Sequence, residues 1–511
     1  MPLLETAQHK NAYPAAPGLY AQHAGHSSQA GGIAILKHSS LFTSILALAA
    51  VLEGREDYSI VDGNLDGNPT ETLLALMRGE SVELLAVTVM PGPQMACAVE
   101  TCRRIRAAFP HIPIVWGGYF PTIYTAAVLN ANYVDFAVRG QGEETLLELV
   151  EALRKKRSFE SVRGLSFKDG SGRHYHNPER PMKGPDAFSW YPYHRLPVED
   201  YLRPSFFGRR TAVHQASIGC PYQCSFCGVV TAYGAQQKME SPARTESILR
   251  HLARNFGADS IQFYDNNFFL REDHARELMD RIAPLGLRWW CEARIDLMLR
   301  FSDATFEAIR RAGCTMIFFG AESGSDWVLK EMNKHLKAEQ TLELARRIRQ
   351  FDIIPEFSFV VGNPKAPERD TRECLQFIRT IKQLNPASEI ILYHYTPVPQ
   401  REQMYGEVEG QFEFPKTLEE WMTRPWQDFS TRKDPLTPWL KPSTKRRIDN
   451  FRLVLSSRWP TVQDPRLPRW GRRTLQTISA WRYRVGFYNF PYELQLMQWL
   501  VHLRKPEAES L

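Results

Sequence analysis

Residues 217–228 run Ser217-Ile-Gly-Cys220-Pro-Tyr-Gln-Cys224-Ser-Phe-Cys227-Gly228 and place three of the chain's eight cysteines within eight residues. They follow the run Ala212–Ile218, which is typical of a strand. Because parallel barrel enzymes hold their chemistry in the loops after the strands, this loop is a candidate metal site. Cysteine thiolates are the usual ligands of iron–sulfur clusters, and a [4Fe–4S] cluster needs four ligands. Three cysteines would therefore leave one iron free for a substrate or a cofactor.

Two other interpretations of this cluster are a zinc site with His214 as the fourth ligand and three unrelated thiols. Zinc sites favour paired C-x₂-C knuckles that close a four-ligand set, and the sequence has no second knuckle, so the iron–sulfur interpretation is favoured. The other cysteines are isolated on helix-like or strand-like patterns. They are predicted to be buried structural thiols: Cys97, Cys102, Cys291, Cys314 and Cys374.

The stretch that contains the cluster opens a series of strands, each of the first five followed by a helix-like segment. Six strands are predicted: Ala212–Ile218, Ser260–Tyr264, Trp289–Ile295, Thr315–Gly320, Glu356–Val361 and Ile390–Tyr395. The clearest helix start is Ser241-Pro242, with an N-cap serine and a proline at the first helical position. Six βα units over about 190 residues fit a partial (βα)6 barrel better than a complete barrel of eight units, which needs roughly 250.

An earlier series of short apolar runs predicts a doubly wound, Rossmann-like α/β domain that closes near residue 156. Its predicted strands are Ile33–Lys37, Tyr58–Asp62, Leu84–Thr88, Ile112–Trp116 and Val134–Val138. Its predicted helices are Leu41–Leu52, Glu71–Met77, Ala96–Ala108, Ile123–Leu129 and Glu143–Lys155. Glycine-rich loops follow the last three strands, at residues 90–93, 116–122 and 139–144. Their shared position favours a ligand, although each loop alone fits plain turn chemistry.

The whole chain is predicted to have five segments. These are a flexible arm (1–30), the Rossmann-like domain (31–156), a proline-rich linker (157–210), the partial barrel (211–400) and a helical basic and aromatic domain (401–511). No apolar run reaches the roughly 18 residues of a membrane span. The arm lacks the apolar core of a secretion signal, and the cysteines are too few for a disulfide scaffold, so the protein is predicted to be cytoplasmic.

The last segment carries the positive charge of the chain. Residues 432–505 hold 16 Lys and Arg, against six Asp and Glu in residues 430–511, while the whole chain has a net charge of +6. Tryptophan, tyrosine and phenylalanine residues lie among these arginines. This composition favours a peripheral contact with a membrane or with an extended hydrophobic substrate. An amphipathic lid on the barrel mouth is the other interpretation. Scattered basic residues without a recognition motif argue against nucleic acid.

The spacing Cys-x₃-Cys-x-aromatic-Cys, with Phe226 as the aromatic residue, resembles that of the radical S-adenosylmethionine (SAM) enzymes. This resemblance implies a [4Fe–4S] cluster on Cys220, Cys224 and Cys227, whose open iron chelates the amino and carboxylate groups of SAM. Electron transfer then cleaves SAM to methionine and a 5′-deoxyadenosyl radical that abstracts hydrogen from carbon. A low-potential electron donor, flavodoxin or ferredoxin, is implied as a partner.

Polar residues at the later strand ends fit the same resemblance. It implies that Asp265 and Asn266 meet the methionyl amine, Arg294 the carboxylate, Glu322 and Ser323 the carboxylate or ribose, and Gly362 the adenine edge. Phe226 and Gly320 are also implied to bind SAM. Each of these residues alone could equally be a strand-end cap or a buried hydrogen-bonding group. The stretch after Gly362 departs from the Gly-x-Pro-Gly-Glu-Thr pattern of the family, because extra residues precede Glu368.

The first domain resembles the cobalamin-binding modules that are fused to many radical SAM enzymes. The motifs are Gly117-Gly118-x-x-Pro121-Thr122 and Arg139-Gly140-x-Gly142-Glu143-Glu144, so cobalamin is implied to bind near Gly117, Gly118, Gly140, Gly142 and Glu143. His38 lacks the Asp-x-His-x-x-Gly context of a cobalt ligand, so cobalamin is predicted to bind with its base displaced and without a histidine. The alternative is a degenerate domain that only packs on the barrel.

The resemblance is closest to the class B radical SAM methyltransferases, which carry this cobalamin domain, and it implies one of two reactions. Methylation of an unactivated carbon of a small-molecule or lipid-like substrate is the preferred prediction. The second is an oxidative cyclisation or rearrangement in tetrapyrrole or secondary-metabolite biosynthesis, as in the anaerobic magnesium-protoporphyrin monomethyl ester cyclase, which has the same domain order. A cobalamin sensor without catalysis would not need the three cluster cysteines.

Overall fold

A computed structural model describes residues 43–398, 412–431, 434, 436–463 and 467–501. The strands have the following bounds: β1 Leu85–Thr88, β2 Ile114–Gly117, β3 Phe136–Val138, β4 Leu165–Lys168, β5 His174–His176, β6 Thr211–His214, β7 Ser217–Cys220, β8 Gln236–Met239, β9 Ser260–Phe263, β10 Arg288–Ala293, β11 Cys314–Glu322, β12 Ile354–Val361 and β13 Glu389–His394.

The helices fill the connections between these strands and form the C-terminal region. They are α1 Thr43–Leu52, α2 Pro69–Gly79, α3 Pro93–Ala108, α4 Tyr119–Ile123, α5 Thr125–Asn130, α6 Glu143–Arg154, α7 Gly228–Tyr233, α8 Pro242–Phe256, α9 Glu272–Ile282, α10 Ile295–Met298, α11 Asp303–Arg311, α12 Asp326–Glu331, α13 Ala338–Ile348, α14 Pro367–Leu384, α15 Leu418–Trp421, α16 Arg424–Ser430, α17 Pro442–Arg458, α18 Arg469–Val485 and α19 Tyr492–Val501.

The first sheet has helices on both faces, as predicted for a doubly wound domain. Within the described part of the chain, its strand order is β1-β2-β3-β4-β5, with β1, β2 and β3 parallel. Side chains alternate along β2, so Ile114 and Trp116 pack with α2, α3 and α5, while Val115 packs with α6. The Rossmann-like architecture is therefore confirmed.

Two details of this domain differ from the sequence-based expectation. The segment Tyr58–Asp62 is not a strand. The side chains at its two ends form hydrogen bonds with residues outside the segment. The Tyr58 hydroxyl donates to the Glu53 carboxylate, and the Asp62 carboxylate accepts from the Tyr201 hydroxyl. The hairpin β4–β5, which lies in the predicted linker, adds two antiparallel strands to the sheet edge. The predicted strand Ile33–Lys37, residue His38 and the arm lie outside the described residues.

The second sheet is the predicted partial barrel. Its strand order among the described residues is β13-β12-β11-β10-β9-β6, and neighbouring strands are all parallel. The predicted first strand, Ala212–Ile218, is divided into β6 and β7, because the backbone turns at Ala216, whose N–H donates to Asp265 and whose carbonyl accepts from Glu240. Strand β7 then pairs with β8 in a separate hairpin that carries Cys220 beyond the barrel.

The C-terminal region contains helices but no strand among its described residues. Trp421 and Phe429, on α15 and α16, complete the core of the first domain, whereas Phe451 on α17 packs into the barrel core. The loop after α17 reaches the amino-terminal ends of the strands, where Val462 N–H donates to Glu389 Oε1 at 3.0 Å. Across the described residues, no helix combines the length and the apolar character that a membrane span requires.

Candidate cofactor site

The three clustered cysteines lie on one loop at the carboxyl-terminal end of the barrel. Cys220 ends β7, Cys224 is buried in the loop, and Cys227 directly precedes α7. A turn bond from Cys227 N–H to the Cys224 carbonyl (3.2 Å) folds the loop back on itself. Ser225 N–H donates to the Met332 carbonyl at 3.1 Å, which ties the loop to the segment after β11. The loop is therefore fixed across the barrel mouth by backbone contacts.

Two cations lie against this loop. Arg294 Nη1 is 3.6 Å from Cys224 Sγ, and the Arg294 guanidinium carbon lies 3.6 Å from the Tyr222 ring centroid. Lys334 Nζ lies 5.7 Å from the centroid of Phe226. Burial raises the pKa of the Cys227 thiol to about 11, and the positive charge of Lys334 acts in the opposite direction. Both cations favour the thiolate forms that bind metal.

The donor set of this loop fits an iron–sulfur cluster. No three His, Cys, Asp or Glu side chains within the described ranges converge as ligands of a single metal ion. Cysteines that hold a [4Fe–4S] cluster bind different irons of a cube, so they surround a volume and do not meet at a point. Cys220, Cys224 and Cys227 would supply three soft ligands for such a cluster, and Arg294 and Lys334 would offset their charge.

His214 has another partner. Its Nε2 lies 2.8 Å from Glu240 Oε2, and both side chains are buried at the end of β6. The zinc interpretation would require this nitrogen or Nδ1 to turn towards the cysteines.

Among the remaining cysteines the predicted burial is confirmed for Cys102, Cys291, Cys314 and Cys374, but Cys97 is exposed on α3, so the prediction for Cys97 was wrong.

The end of β9 carries buried polar atoms without partners in the described structure. Asp265 Oδ2 accepts the Ala216 N–H at 3.1 Å, but its Oδ1 has no hydrogen-bond partner, and burial raises the pKa of Asp265 to about 7. Both polar atoms of the buried Asn267 side chain are also unpaired, as is Gln237 Oε1. Asn266 is exposed. Unpaired buried polar atoms are rare, so this group indicates a place where a ligand supplies the partners.

The end of β11 holds a buried ion pair. Lys334 Nζ lies 2.8 Å from Glu322 Oε1, and both side chains are more than nine-tenths buried. A Cβ at Gly320 would lie 2.1 Å from Glu322 Oε1 and 2.8 Å from Lys334 Nζ, so only glycine leaves room for the pair. Glu322 itself has a φ of 62°, which turns the chain sharply as the strand ends. Sequence analysis identified Gly320 and Glu322 but missed Lys334.

An acid on α14 fixes the loop after β12. Asp370 Oδ2 accepts the N–H groups of Gly362 (2.8 Å) and Asn363 (2.9 Å), and Asp370 Oδ1 lies 3.4 Å from Ser323 Oγ. Gly362 has a φ of 97°, which explains the glycine. Glu368 instead pairs with Lys441 at the surface. Because of the extra residues in this stretch, the acid that holds the loop is Asp370, two positions after Glu368.

We expect Asp370→Ala to lower the free energy of unfolding by about 2 kcal/mol, because it leaves two buried N–H groups without an acceptor. Asp370→Asn, which keeps an acceptor oxygen, is the matched control and should lose less stability.

Burial raises the pKa of Asp370 to about 6, above its value in the unfolded chain, so the contribution of Asp370 to stability falls as the pH rises through 6. Urea unfolding at pH 4 to 8 checks this, since Asp370→Asn should lack that part of the pH dependence. Equal stability of the Ala and Asn variants would contradict the assigned role.

The two glycine motifs of the first domain lie side by side. Gly140 N–H donates to Thr122 Oγ1 at 3.1 Å, which joins the loop after β3 to the loop after β2. Gly118 has a φ of 97°, and a Cβ there would lie 2.9 Å from Thr88 Oγ1. Gly117 ends β2, and Gly142 precedes α6. Glu143 is buried at the start of α6, and burial raises the pKa of its carboxyl.

These two loops contact the helix that follows the cysteines. A Cβ at Gly228, the residue after Cys227, would lie 1.8 Å from the Tyr119 hydroxyl, so α7 approaches α4 as closely as a glycine permits. A Cβ at Gly140 would lie 3.5 Å from the Ala232 carbonyl, also on α7. The structure therefore brings the predicted cobalamin loops and the predicted cluster loop to one place.

Comparisons with known proteins support the two predicted domains. A family model described as the B12 binding domain matches residues 43–150, and one described as the radical SAM superfamily matches residues 215–378. An uncharacterized methyltransferase of Pyrococcus horikoshii is 25% identical over 338 residues, which cover 65% of this chain and 72% of that protein. The anaerobic magnesium-protoporphyrin IX monomethyl ester cyclase of Synechocystis is 27% identical over 286 residues, which cover 55% of this chain and 54% of the cyclase.

A solved structure shares the fold over nearly the whole chain. It is the radical SAM methyltransferase TsrM from Kitasatospora setae with cobalamin and a [4Fe–4S] cluster bound, with a TM-score of 0.62, 16% identity and coverage of 91% of this chain and 96% of TsrM. A B12-binding domain followed by a radical SAM domain defines the class of protein. The chain is a radical SAM enzyme of the kind that carries a B12-binding domain.

Proposed function

We propose that the protein is a cobalamin-dependent radical SAM C-methyltransferase that acts on an unactivated carbon of a small-molecule or lipid-like substrate. The observation that carries this proposal is the contact between the two predicted cofactor loops, in which α4 meets α7 at Gly228. A methyl carrier and a radical generator must act on the same carbon, so their sites need to adjoin. Similarity to the Pyrococcus horikoshii methyltransferase supports the same reaction.

The chain's own residues would hold each cofactor. When bound, the cluster supplies the electron that cleaves SAM, and cobalamin carries the methyl group. Cys220, Cys224 and Cys227 would bind the cluster, while Arg294, which is held by Asp296 (2.9 Å) and the Lys334 carbonyl (2.6 Å), would orient the SAM carboxylate.

The other predicted SAM contacts come from neighbouring strand ends. Asp265 and Asn266 would meet the methionyl amine, Glu322 and Ser323 the carboxylate or ribose, and Gly362 the adenine edge. The orphaned oxygen of Asp265 is available for such a contact. The pair Glu322–Lys334 and the bond from Asp370 to the Gly362 loop keep two of these strand ends rigid before SAM binds.

Cobalamin would lie on the glycine loops of the first domain, near Gly118 and Gly140, with its base displaced. The positive φ values of these glycines let the backbone approach a large planar ligand closely. A low-potential donor, flavodoxin or ferredoxin, would supply the electron to the cluster.

The barrel interior suits a substrate without charge. Cys291 and Ala293 on β10 pack into the outer core, so Glu292 between them faces the barrel interior. Burial raises the pKa of Glu292 to about 8, and it raises the pKa of Glu356, on strand β12, to about 7. At neutral pH Glu292 is therefore mainly protonated and Glu356 about half protonated, so the interior carries less negative charge than two free carboxylates would, and this supports an apolar or lipid-like substrate.

Cyclisation or rearrangement is the second candidate, and the similarity to the Synechocystis cyclase favours it. The two reactions differ in what they do to SAM. A methyltransferase consumes two molecules of SAM per turnover, one giving 5′-deoxyadenosine and one giving S-adenosylhomocysteine. A cyclase needs to form only 5′-deoxyadenosine from SAM and no S-adenosylhomocysteine.

The test is a labelling experiment with anaerobically reconstituted, cobalamin-loaded protein. It uses SAM with a deuterated methyl group, a low-potential reductant, and an extract of cells that lack the gene as the source of substrate. We expect both SAM products in equal amounts and the label in a new product seen by mass spectrometry. Deoxyadenosine together with a new unlabelled product and no S-adenosylhomocysteine would establish the cyclase-like reaction instead. The Cys224→Ala variant is the control for reductant chemistry in the extract.

A further inference from the structure

The outward side of α18 is aromatic where most surface helices are polar. Trp470 is 64% exposed and Trp481 is 50% exposed, and their separation of eleven positions corresponds to about three helical turns, so both point the same way. The opposite stripe of α18 is buried, at Leu475, Ser479 and Tyr483. The helix is therefore anchored by one face and presents two tryptophans on the other.

The exposed apolar surface continues past the end of α18. The Trp481 and Phe487 rings stack at 6.0 Å, and Phe490 and Tyr492 contact each other at 6.0 Å, each of the latter two being 66% exposed. We call this surface the aromatic face; it consists of Trp470, Trp481, Val485, Phe487, Phe490 and Tyr492. Isolated exposed apolar residues are common, but several exposed aromatic residues on one helix and in the turn after it mark an interaction surface.

The charge around the aromatic face is positive. Residues 467–501 contain five arginines and one acid, Glu493, and this acid is already paired with the buried Arg482. Arg473 and Arg484 are exposed on the outward side of α18, within the same stripe as the tryptophans. Tryptophan interleaved with arginine on one helix side is the pattern of proteins that lie on anionic lipid headgroups.

The position of α18 argues against a lid on the barrel mouth. Arg472 Nη1 donates to the Pro460 carbonyl at 2.8 Å, so α18 begins beside the loop that reaches the amino-terminal ends of the strands. The cysteine loop lies at the opposite, carboxyl-terminal end. A second copy of the chain is also a poor occupant, because a symmetric contact through this face would bring the same arginines together.

We propose that the aromatic face docks the protein on the surface of a membrane that contains anionic lipids. The tryptophans and phenylalanines insert at the headgroup level, and Arg473 and Arg484 contact the phosphates. This interaction does not depend on which reaction the barrel performs.

Vesicle co-sedimentation of the full chain tests the proposal, with vesicles of phosphatidylcholine alone and with one quarter phosphatidylglycerol, at about 0.1 M salt. We expect binding to the anionic vesicles only, and a rise of at least about tenfold in the lipid concentration for half binding in Trp470→Ala/Trp481→Ala. Arg473→Glu/Arg484→Glu should also lose binding. The matched control is Trp190→Ala, which removes a tryptophan that is 43% exposed but lies outside the aromatic face.

Three outcomes would overturn the proposal. They are wild-type protein that stays in the supernatant with anionic vesicles, a double tryptophan variant that binds like the wild type, and equal loss in Trp190→Ala. Light scattering on the same samples detects self-association. A dimer that dissociates in Trp470→Ala/Trp481→Ala, without vesicle binding by the wild type, would assign the face to a second copy instead.

Discussion

Replacing Cys220, Cys224 or Cys227 with alanine is expected to abolish both the brown iron–sulfur chromophore and the cleavage of SAM. With three cysteine ligands the cluster has none to spare, and loss of one exposes a second iron and releases the cluster. The fold should survive, because the loop is held by backbone bonds such as that from Ser225 to Met332, which do not involve the thiols. Iron content, visible absorbance and deoxyadenosine formation measure the effect after anaerobic reconstitution.

The matched control is Cys97→Ala, since Cys97 is exposed on α3 in the first domain and has no place in the cluster. It should retain iron and cleavage activity at the wild-type level. Circular dichroism and thermal unfolding of each apo-protein show whether the fold is retained. Full iron content together with full cleavage in any one of the three loop variants would refute the ligand assignment.

The cluster loop was predictable because its signal is local. Three thiols within eight residues predict a ligand set without any knowledge of the fold, and the strand patterns before and after them indicate the barrel. Gly320 and Gly362 were also singled out from the sequence as motif positions, and their contact with SAM stays a prediction. The structure supplies their physical reasons, which are the Glu322–Lys334 pair beside Gly320 and a φ of 97° at Gly362.

The residues that sequence analysis missed act through tertiary contacts. Lys334 reaches Glu322 across twelve residues, Asp370 reaches Gly362 from the next helix, and Gln237 on the β7–β8 hairpin reaches the Asn267 carbonyl in the loop after β9. Nothing in the spacing of a lysine in Asn333-Lys334-His335 distinguishes it from a surface lysine. Such pairings depend on how the strand ends are arranged in space, which a single sequence does not encode as a motif.

The hairpin β4–β5 illustrates the same limit in the fold. Its residues follow a predicted domain end and precede a run of prolines, so composition favours a linker. In the structure, β4 pairs with β3 because Val138 and Leu165 bring apolar side chains to the same face of the sheet. Whether a segment such as β4 forms a strand thus depends on the strand that it pairs with and not on the turn residues beside it.

Lys334→Met should produce the largest loss of stability among substitutions around the site. Methionine keeps the length of the side chain but removes the charge, so the buried Glu322 carboxylate, 2.8 Å from Lys334 Nζ, is left without its partner. Burial alone would lower the pKa of Lys334, but the Glu322 carboxylate outweighs this and raises it, so the lysine is charged in the folded protein. Breaking a buried pair by removing one partner costs about 3–5 kcal/mol. Urea unfolding of the apo-protein under anaerobic conditions measures the change.

The double variant Lys334→Met/Glu322→Gln separates loss of the pair from loss of packing. Removing both charges should recover most of the stability, because no uncompensated carboxylate remains buried. Lys330→Met is the matched control, since Lys330 is exposed on α12 four residues earlier and should change the free energy of unfolding by less than about 0.5 kcal/mol. SAM cleavage should stay low in the double variant even though its fold recovers, because the positive charge of Lys334 beside Phe226 is gone. If the double variant is as unstable as Lys334→Met, the lysine acts through packing, and the ion pair does not hold the end of β11 in place.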